Sequence, residues 1–433
     1  MIVIDKRDFY KEIVLIIVAV LACFIICLNS SIIWHISAMV FVSFVAMLLV
    51  GFDLMHPYVW FTGFFCLYSI GYPLMVLIGY GTRIEYTKES MLLQLLALIV
   101  FLLVTTPHKN DKVDQVELTT LSFDLGLLNR IIYILLIVLV LLGGALVIKN
   151  GFSGKADVYE TGGIFLKMIF RTPLILSMFY AISVITSFAR NGKFPLSQML
   201  ITMSALLFIT LFSGERDFIF RFVILNVFIM WFLKALKLKH LFILGPIAMI
   251  GIVLSSNYKY YFLTGNISRS NGGFLHSLIA GEFESASRNL QELINNASYT
   301  KGVKGFRQIA FDVMGSVYSG YESTTSWFTN TFYPNSVTQY GFTLVGEGYV
   351  IAGVFGIIVL FLIVGLITKW FYMNASNSNY KLAAYMYFIT VVIYSIRADL
   401  STILAGIVKQ IYLVLLILYI AENLSKIHEV HYE

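Results

Sequence analysis

Apolar runs, most of them near 20 residues, alternate with short polar turns from residue 13 to 257 and again from 343 to 421. As a helix, a run of that length rises about 30 Å, the thickness of a bilayer's hydrocarbon. The pattern predicts roughly twelve spans, near 13–29, 32–51, 57–79, 89–107, 127–148, 172–189, 195–213, 217–235, 240–257, 343–368, 380–397 and 400–421. Lipid offers the backbone no hydrogen bonds, so runs of this kind are helices, and the fold class is all-α. The alternation breaks at length once. Residues 258–342, about 85 positions, hold most of the chain's polarity away from the spans, and structureless connections that long are uncommon. The stretch reads as a partly helical cap within one integral-membrane domain covering 1–433.

Composition agrees: 59% of residues are hydrophobic and 12% charged, too little charge to cover a soluble surface. The net charge of +6 comes with no soluble basic domain and no reading motif, which excludes nucleic acid as a partner. Cys23, Cys27 and Cys66 lie inside apolar runs and read as small hydrophobes rather than metal ligands. The first residues, MIVIDKRDFYKE, mix charge signs with no small-residue cleavage site after them, so a retained first span is expected. No convincing internal repeat is present, which counts against an inverted-repeat transporter.

Charge placement sets orientation. Lys6, Arg7, Lys11, Lys109, Lys112, Arg190, Lys193, Lys234, Lys237, Lys239, Lys369 and Lys381 all fall on one side of a twelve-span plan. The positive-inside rule makes that side the cytoplasm, with both termini inside and the cap external. Arginines collect on the other side: Arg83, Arg171, Arg216, Arg221, Arg269, Arg288, Arg307 and Arg397. Topology gives no reason for that bias, whereas guanidinium is the fork that grips phosphate oxygens and stays charged in partly dry sites.

Four constellations carry chemistry. In Ser213-Gly214-Glu215-Arg216-Asp217, with Arg221 a turn on, either Asp217 and Arg221 form an i,i+4 pair or the arginines bind an anion. In Ser395-Ile396-Arg397-Ala398-Asp399-Leu400, Asp399 or Ser401 caps the last helix, and Arg397, which has no capping role, either contacts a lipid headgroup or binds an anionic ligand. Lys409, near the middle of the last span, is a functional candidate by default, with no partner legible in sequence. In the cap, Gly281-Glu282-Phe283-Glu284 opens an amphipathic helix through Asn295 with Arg288 in its second turn, and its charged face could simply be wet. Tyr318, Tyr321, Trp327, Phe328, Tyr333 and Tyr340, interleaved with amides and hydroxyls, suit sugar rings or a membrane-interface belt equally. Glu282 and Glu284 are weak support for a bound cation, and no metal site is expected. The fourth is Glu347, among Gly341, Gly346, Gly348, Gly353 and Gly356, at the mouth of the tenth span. A carboxylate there either neutralises an external arginine or takes a proton from a hydroxyl. No nucleotide loop, nucleophile elbow or His-rich metal motif accompanies these groups, and no cofactor is expected.

The SGERD turn, the GEF segment at 281–283, the GFTLVGEGYVIAGVFG entry to the tenth span and the IRADL turn together resemble the Wzy-type oligosaccharide repeat unit polymerases of bacterial O-antigen and capsule synthesis. The wider group resembles the metal-independent branch of GT-C membrane glycosyltransferases. The resemblance implies a multi-pass protein of the bacterial cytoplasmic (inner) membrane with its active site on the external face. Its substrates would be undecaprenyl-diphosphate-linked oligosaccharides, within membrane lipid. Many such polymerases also bind a chain-length regulator. Glu347 and Arg216 would be catalytic. Arg221, Arg288, Arg307 and Arg397 would hold the diphosphate, and Arg269, Glu282, Asp399 and Lys409 are secondary candidates. An O-antigen ligase and a flippase for lipid-linked oligosaccharide are the alternatives.

Overall fold

A computed structural model describes residues 6–80, 84–106, 125–150, 163–213, 216–237, 283–314, 322–334 and 341–430, with a few isolated positions between 239 and 279. The described residues form a helical membrane protein without strands. In chain order the helices are α1 (Lys6–Leu28), α2 (Ile32–Leu48), α3 (Pro57–Leu77), α4 (Lys88–Val104), α5 (Leu125–Asn150), α6 (Gly163–Asn191), α7 (Leu196–Ser213) and α8 (Asp217–Phe232). The cap supplies α9 (Glu284–Asn295), α10 (Arg307–Met314) and α11 (Thr324–Phe332). Then come α12 (Leu344–Asn374), α13 (Asn379–Ser395), α14 (Leu400–Gly406), a π-helical turn over Ile407–Tyr412, and α15 (Leu413–Val430).

A helix occupies each predicted span except the ninth, most of which lies outside the described residues. Five helical stretches are long and apolar enough to cross a membrane unaided: Tyr10–Leu28, Pro57–Leu77, Arg171–Asn191, Leu344–Asn377 and Leu400–Asn423. Ile32–Leu48, Leu125–Leu141 and Leu196–Thr210 are apolar but shorter.

Packing follows small residues and aromatic stacks. Phe61 lies on Phe101 with ring centres 3.6 Å apart, and Phe361 meets Phe61 and Phe65 edge-on, fastening α3, α4 and α12. Between α5, α6, α7 and α8 the glue is polar. Ser183 donates to Asn129 at 2.6 Å and Gln198 to Ser183 at 3.0 Å, while Tyr180 donates to Asn226 at 2.6 Å. Such bonds join helices where lipid gives no hydrophobic drive to associate.

The tenth span differs from expectation. Ala352 (φ −152°) and Gly353 (φ 61°) break α12, and the chain folds back on itself there. Along a straight helix Gly348 and Gly356 would stand about 12 Å apart. Instead their backbones touch: a Cβ on Gly356 would lie 2.0 Å from the Gly348 carbonyl oxygen. The continuous span therefore starts near Val354 rather than 343, preceded by a buried half-helix over 344–351. Only glycine allows the approach at 348 and 356, and Gly353 (φ 61°, ψ −138°) takes a positive-φ conformation essentially reserved for glycine, at a cost of about 1–3 kcal/mol for a side chain. Backbone N–H groups of Gly302 and Lys304 donate to the carbonyls of Tyr349 and Val350 at 3.3 and 3.1 Å, capping the half-helix.

The cap sits against one end of the bundle. Helix α9 is not the wet amphipathic helix its sequence permits. Glu284, Ser287, Asn289 and Gln291 are buried with its leucines, because the helix wedges between α3, α4 and α12. Gly71 of α3 makes room, since a Cβ there would lie 2.2 Å from the Phe283 carbonyl oxygen. The Tyr72 N–H donates to Ser287 Oγ at 2.9 Å, and Gln291 exchanges bonds with Thr87. Helix α10 packs on α14. The turns after α3 and α13 both meet the cap, through Thr87 and Gln291 and through Asp399 and Thr325.

Candidate functional site

Glu347 lies in the first turn of the buried half-helix and is 1% exposed. Its Oε2 accepts the Leu400 backbone N–H at 2.6 Å, at the start of α14. Its Oε1 is buried without a hydrogen-bond partner among the described residues. Asp399 is the N-cap of the same helix and accepts from the Thr402 N–H at 2.8 Å, with Ser401 and Thr402 hydroxyls at 2.7 Å. Two carboxylates therefore face one helix N-terminus, where unsatisfied N–H groups and the helix dipole favour negative charge. Of the two sequence readings for Glu347, neutralising an arginine is not what the geometry displays: its partner is a backbone amide.

Arg221 of α8 and Arg397 of the turn after α13 meet at Tyr394. The Arg221 guanidinium lies 4.2 Å from the centre of that ring and that of Arg397 5.1 Å. Arg221 is 4% exposed and its Nε donates to Asp217 at 2.8 Å, so the i,i+4 pair is the arrangement adopted. Its burial leaves it little reach for a ligand. Tyr387, one heptad before Tyr394 on the same face, lies near Arg221 and donates to Gln410 at 2.7 Å. Arg397 is half-buried and more accessible. Arg216, also half-buried, precedes α8 at its N-cap position.

From the cap, Asp312 of α10 accepts from Thr324 Oγ1 at 2.7 Å, and the next residue, Thr325, reaches Asp399 at 3.4 Å. Asp312 and Asp399 are the acidic neighbours of Glu347. Arg288 of α9 pairs with Glu284 at 3.3 Å and faces Glu292 on its other side. Burial raises the Glu292 carboxyl above its ordinary value, with Arg288 and the Asn296 side chain opposing the rise. Much of the Arg288 charge is thus answered within α9. Its neighbour Asn289 donates to the Gly341 carbonyl, and Gly341 packs on the Arg397 carbonyl. Arg307, at the start of α10, is exposed. Lys409 has a partner that sequence did not give: from the π-helical turn its Nζ donates to the Val313 carbonyl, in the last turn of α10, at 2.7 Å.

Arg269 and Glu282 lie outside the described residues, as do Arg83, Gly214, Glu215, Gly281, Tyr318, Tyr321 and Tyr340. Of the remaining aromatics, Phe328 is fully buried against Phe332, Tyr333 and Phe342 and belongs to the cap's core, not to a sugar platform. Trp327 is half-exposed, with Lys304 Nζ 5.4 Å from its ring centre. Among the described residues no group of three or more His, Cys, Asp or Glu side chains is arranged to hold a metal ion.

Sequence reasoning missed Asp312, Tyr387 and Tyr394. The tyrosines carried a legible signal: spaced seven apart, with Arg397 three residues on, they share a helical face. Asp312 carried none, because α10 is brought to the site by tertiary packing alone. Helices of three separate regions thus converge on one polar junction at the bundle's end. No family model matches the chain, and neither a curated protein nor a solved structure matches it.

Proposed function

We propose that this junction transfers a glycan from a lipid-linked diphosphate to a sugar hydroxyl, making the chain a membrane polysaccharide polymerase of the Wzy type. In this reading the bundle crosses the bacterial cytoplasmic membrane about twelve times, in a GT-C-like arrangement with the cap outside. Undecaprenyl-diphosphate-linked repeat units are both donor and acceptor. The bond from the sugar's anomeric carbon to the diphosphate oxygen breaks, and its electron pair leaves with the diphosphate. The acceptor oxygen bonds to that carbon and gives its proton to a base.

The observation that carries the reading is the coincidence of Glu347 and Arg397 at one turn, from segments far apart in the chain. Glu347 bonds the Leu400 N–H, three residues beyond Arg397, and keeps a second carboxylate oxygen buried and unpartnered among the described residues. That oxygen is the proton acceptor, and general-base catalysis contributes about 10²–10⁴ in rate. Arg397, with Arg216 at the rim, faces the developing charge on the leaving diphosphate, where one preorganised donor contributes about 2.7–4 kcal/mol. No metal enters this scheme.

Purified protein in detergent, given lipid-linked repeat units and no vesicles, is expected to lengthen the glycan; intact single units would exclude the assignment. Cells lacking the protein separate a ligase, because loss of a polymerase leaves one repeat unit attached and loss of a ligase strands polymer on its lipid carrier. A flippase could use Lys409 as an intramembrane charge, but its Nζ is bonded to the Val313 carbonyl of the cap, which gives that alternative no support.

A further inference from the structure

Building on that reading, we infer that Tyr394 is a positioning residue for Arg397, backed by Arg221 and Asp217 as its support. An arginine at a helix end has four rotatable side-chain bonds and, left alone, samples solvent. A guanidinium over an aromatic face is held by attraction to the ring's electron density, more strongly in a partly dry site. Arg397 follows Tyr394 by three residues, so the ring lies directly beneath it as α13 ends. The same ring is fixed by a second cation from another helix. Arg221, locked by Asp217 at 2.8 Å and buried, sits 4.2 Å from the ring centre.

The result is a stack graded by exposure: a largely buried ion pair, then a half-buried ring, then a half-buried guanidinium. Preorganising a donor in this way spares its ordering when the ligand arrives. The arrangement also divides the labour among the arginines. Arg397 meets phosphate, whereas Arg221 acts through Tyr394 and does not touch the ligand.

The test is a double-mutant cycle on Tyr394 and Arg397, read as binding of undecaprenyl diphosphate by the full-length protein in zwitterionic nanodiscs, with undecaprenol as control. Arg397→Ala is expected to weaken binding at least tenfold and Tyr394→Leu about tenfold, with Tyr394→Phe near wild type because the ring face remains. If Tyr394 acts through Arg397, the double variant Tyr394→Leu/Arg397→Ala binds no more weakly than Arg397→Ala alone. Additive losses overturn the inference, since a structural role would add to the loss of the arginine, and so does wild-type binding by Tyr394→Leu. Wild-type protein that fails to prefer undecaprenyl diphosphate over undecaprenol overturns the polymerase reading itself, and this inference with it. Asp217→Asn provides an independent arm: loosening Arg221 behind the ring is expected to weaken binding severalfold, and no change would remove Arg221 from the stack.

Discussion

Replacing Glu347 with glutamine separates a catalytic carboxylate from a helix cap. The side chain is 1% exposed and accepts the Leu400 N–H at 2.6 Å. Glutamine is isosteric, and its amide oxygen can still accept that bond. Stability then loses at most the charge-dependent part, up to about 2 kcal/mol at a buried helix N-terminus. Loss of a general base would slow transfer by about 10²–10⁴, equivalent to roughly 3–5 kcal/mol of barrier. The two effects are read by different measurements. Glu347→Gln is therefore expected to keep its membrane level and a thermal midpoint within a few degrees of wild type while losing long polymer from the glycan ladder. Glu347→Ala, which leaves the Leu400 amide without its acceptor in a buried site, is expected to lower stability by about 2–3 kcal/mol besides. Polymer of normal length from Glu347→Gln would refute the reasoning and leave the carboxylate as a cap of α14.

The hairpin gives a graded pair of perturbations. Gly356→Ala sets a Cβ 2.0 Å from the Gly348 carbonyl oxygen, a backbone atom that cannot yield without opening the hairpin, and should abolish polymer and sharply reduce thermal stability. Gly353→Ala meets only the flexible Lys301 side chain and should lose about 1–3 kcal/mol from its positive-φ backbone, with partial activity. Lys409→Met removes the bond to Val313 and should hasten proteolysis within the cap, a difference of about 1 kcal/mol for a half-exposed cation. At the opposite end of the bundle, burial holds His56 neutral, its pKa pushed down to about 3 from 6.5. The folded state therefore binds fewer protons than the unfolded one between those values, so stability is full above pH 6.5 and is lost as pH falls below it. At pH 5 the loss should be about 2 kcal/mol, and His56→Gln should flatten that fall in thermal midpoint.

Particular residues mark how far the chain could be read. The Asp217–Arg221 pair needed only helical spacing, and it formed. Asp399 as a cap followed from its place before an apolar run, and it caps. The fold-back at Ala352 and Gly353 was written as glycines but not as a direction, because a glycine-rich helix entry is equally compatible with a straight span. The α9 segment was read as amphipathic, yet whether its polar face meets water or buried amides depends on what packs around it. Here Gly71, some 210 residues away, admits it to the bundle.

By itself the sequence determined which stretches are helical and apolar, because lipid judges each run locally by length and polarity. It also determined the inventory of arginines and carboxylates. The tertiary structure alone decided that Glu347, Asp399 and Asp312 are neighbours and that Arg221 and Arg397 share one ring. It also left Arg307 exposed. Such meetings depend on the direction in which a few backbone dihedrals send each segment and on which small residues let two backbones touch, and neither follows from hydrophobic period.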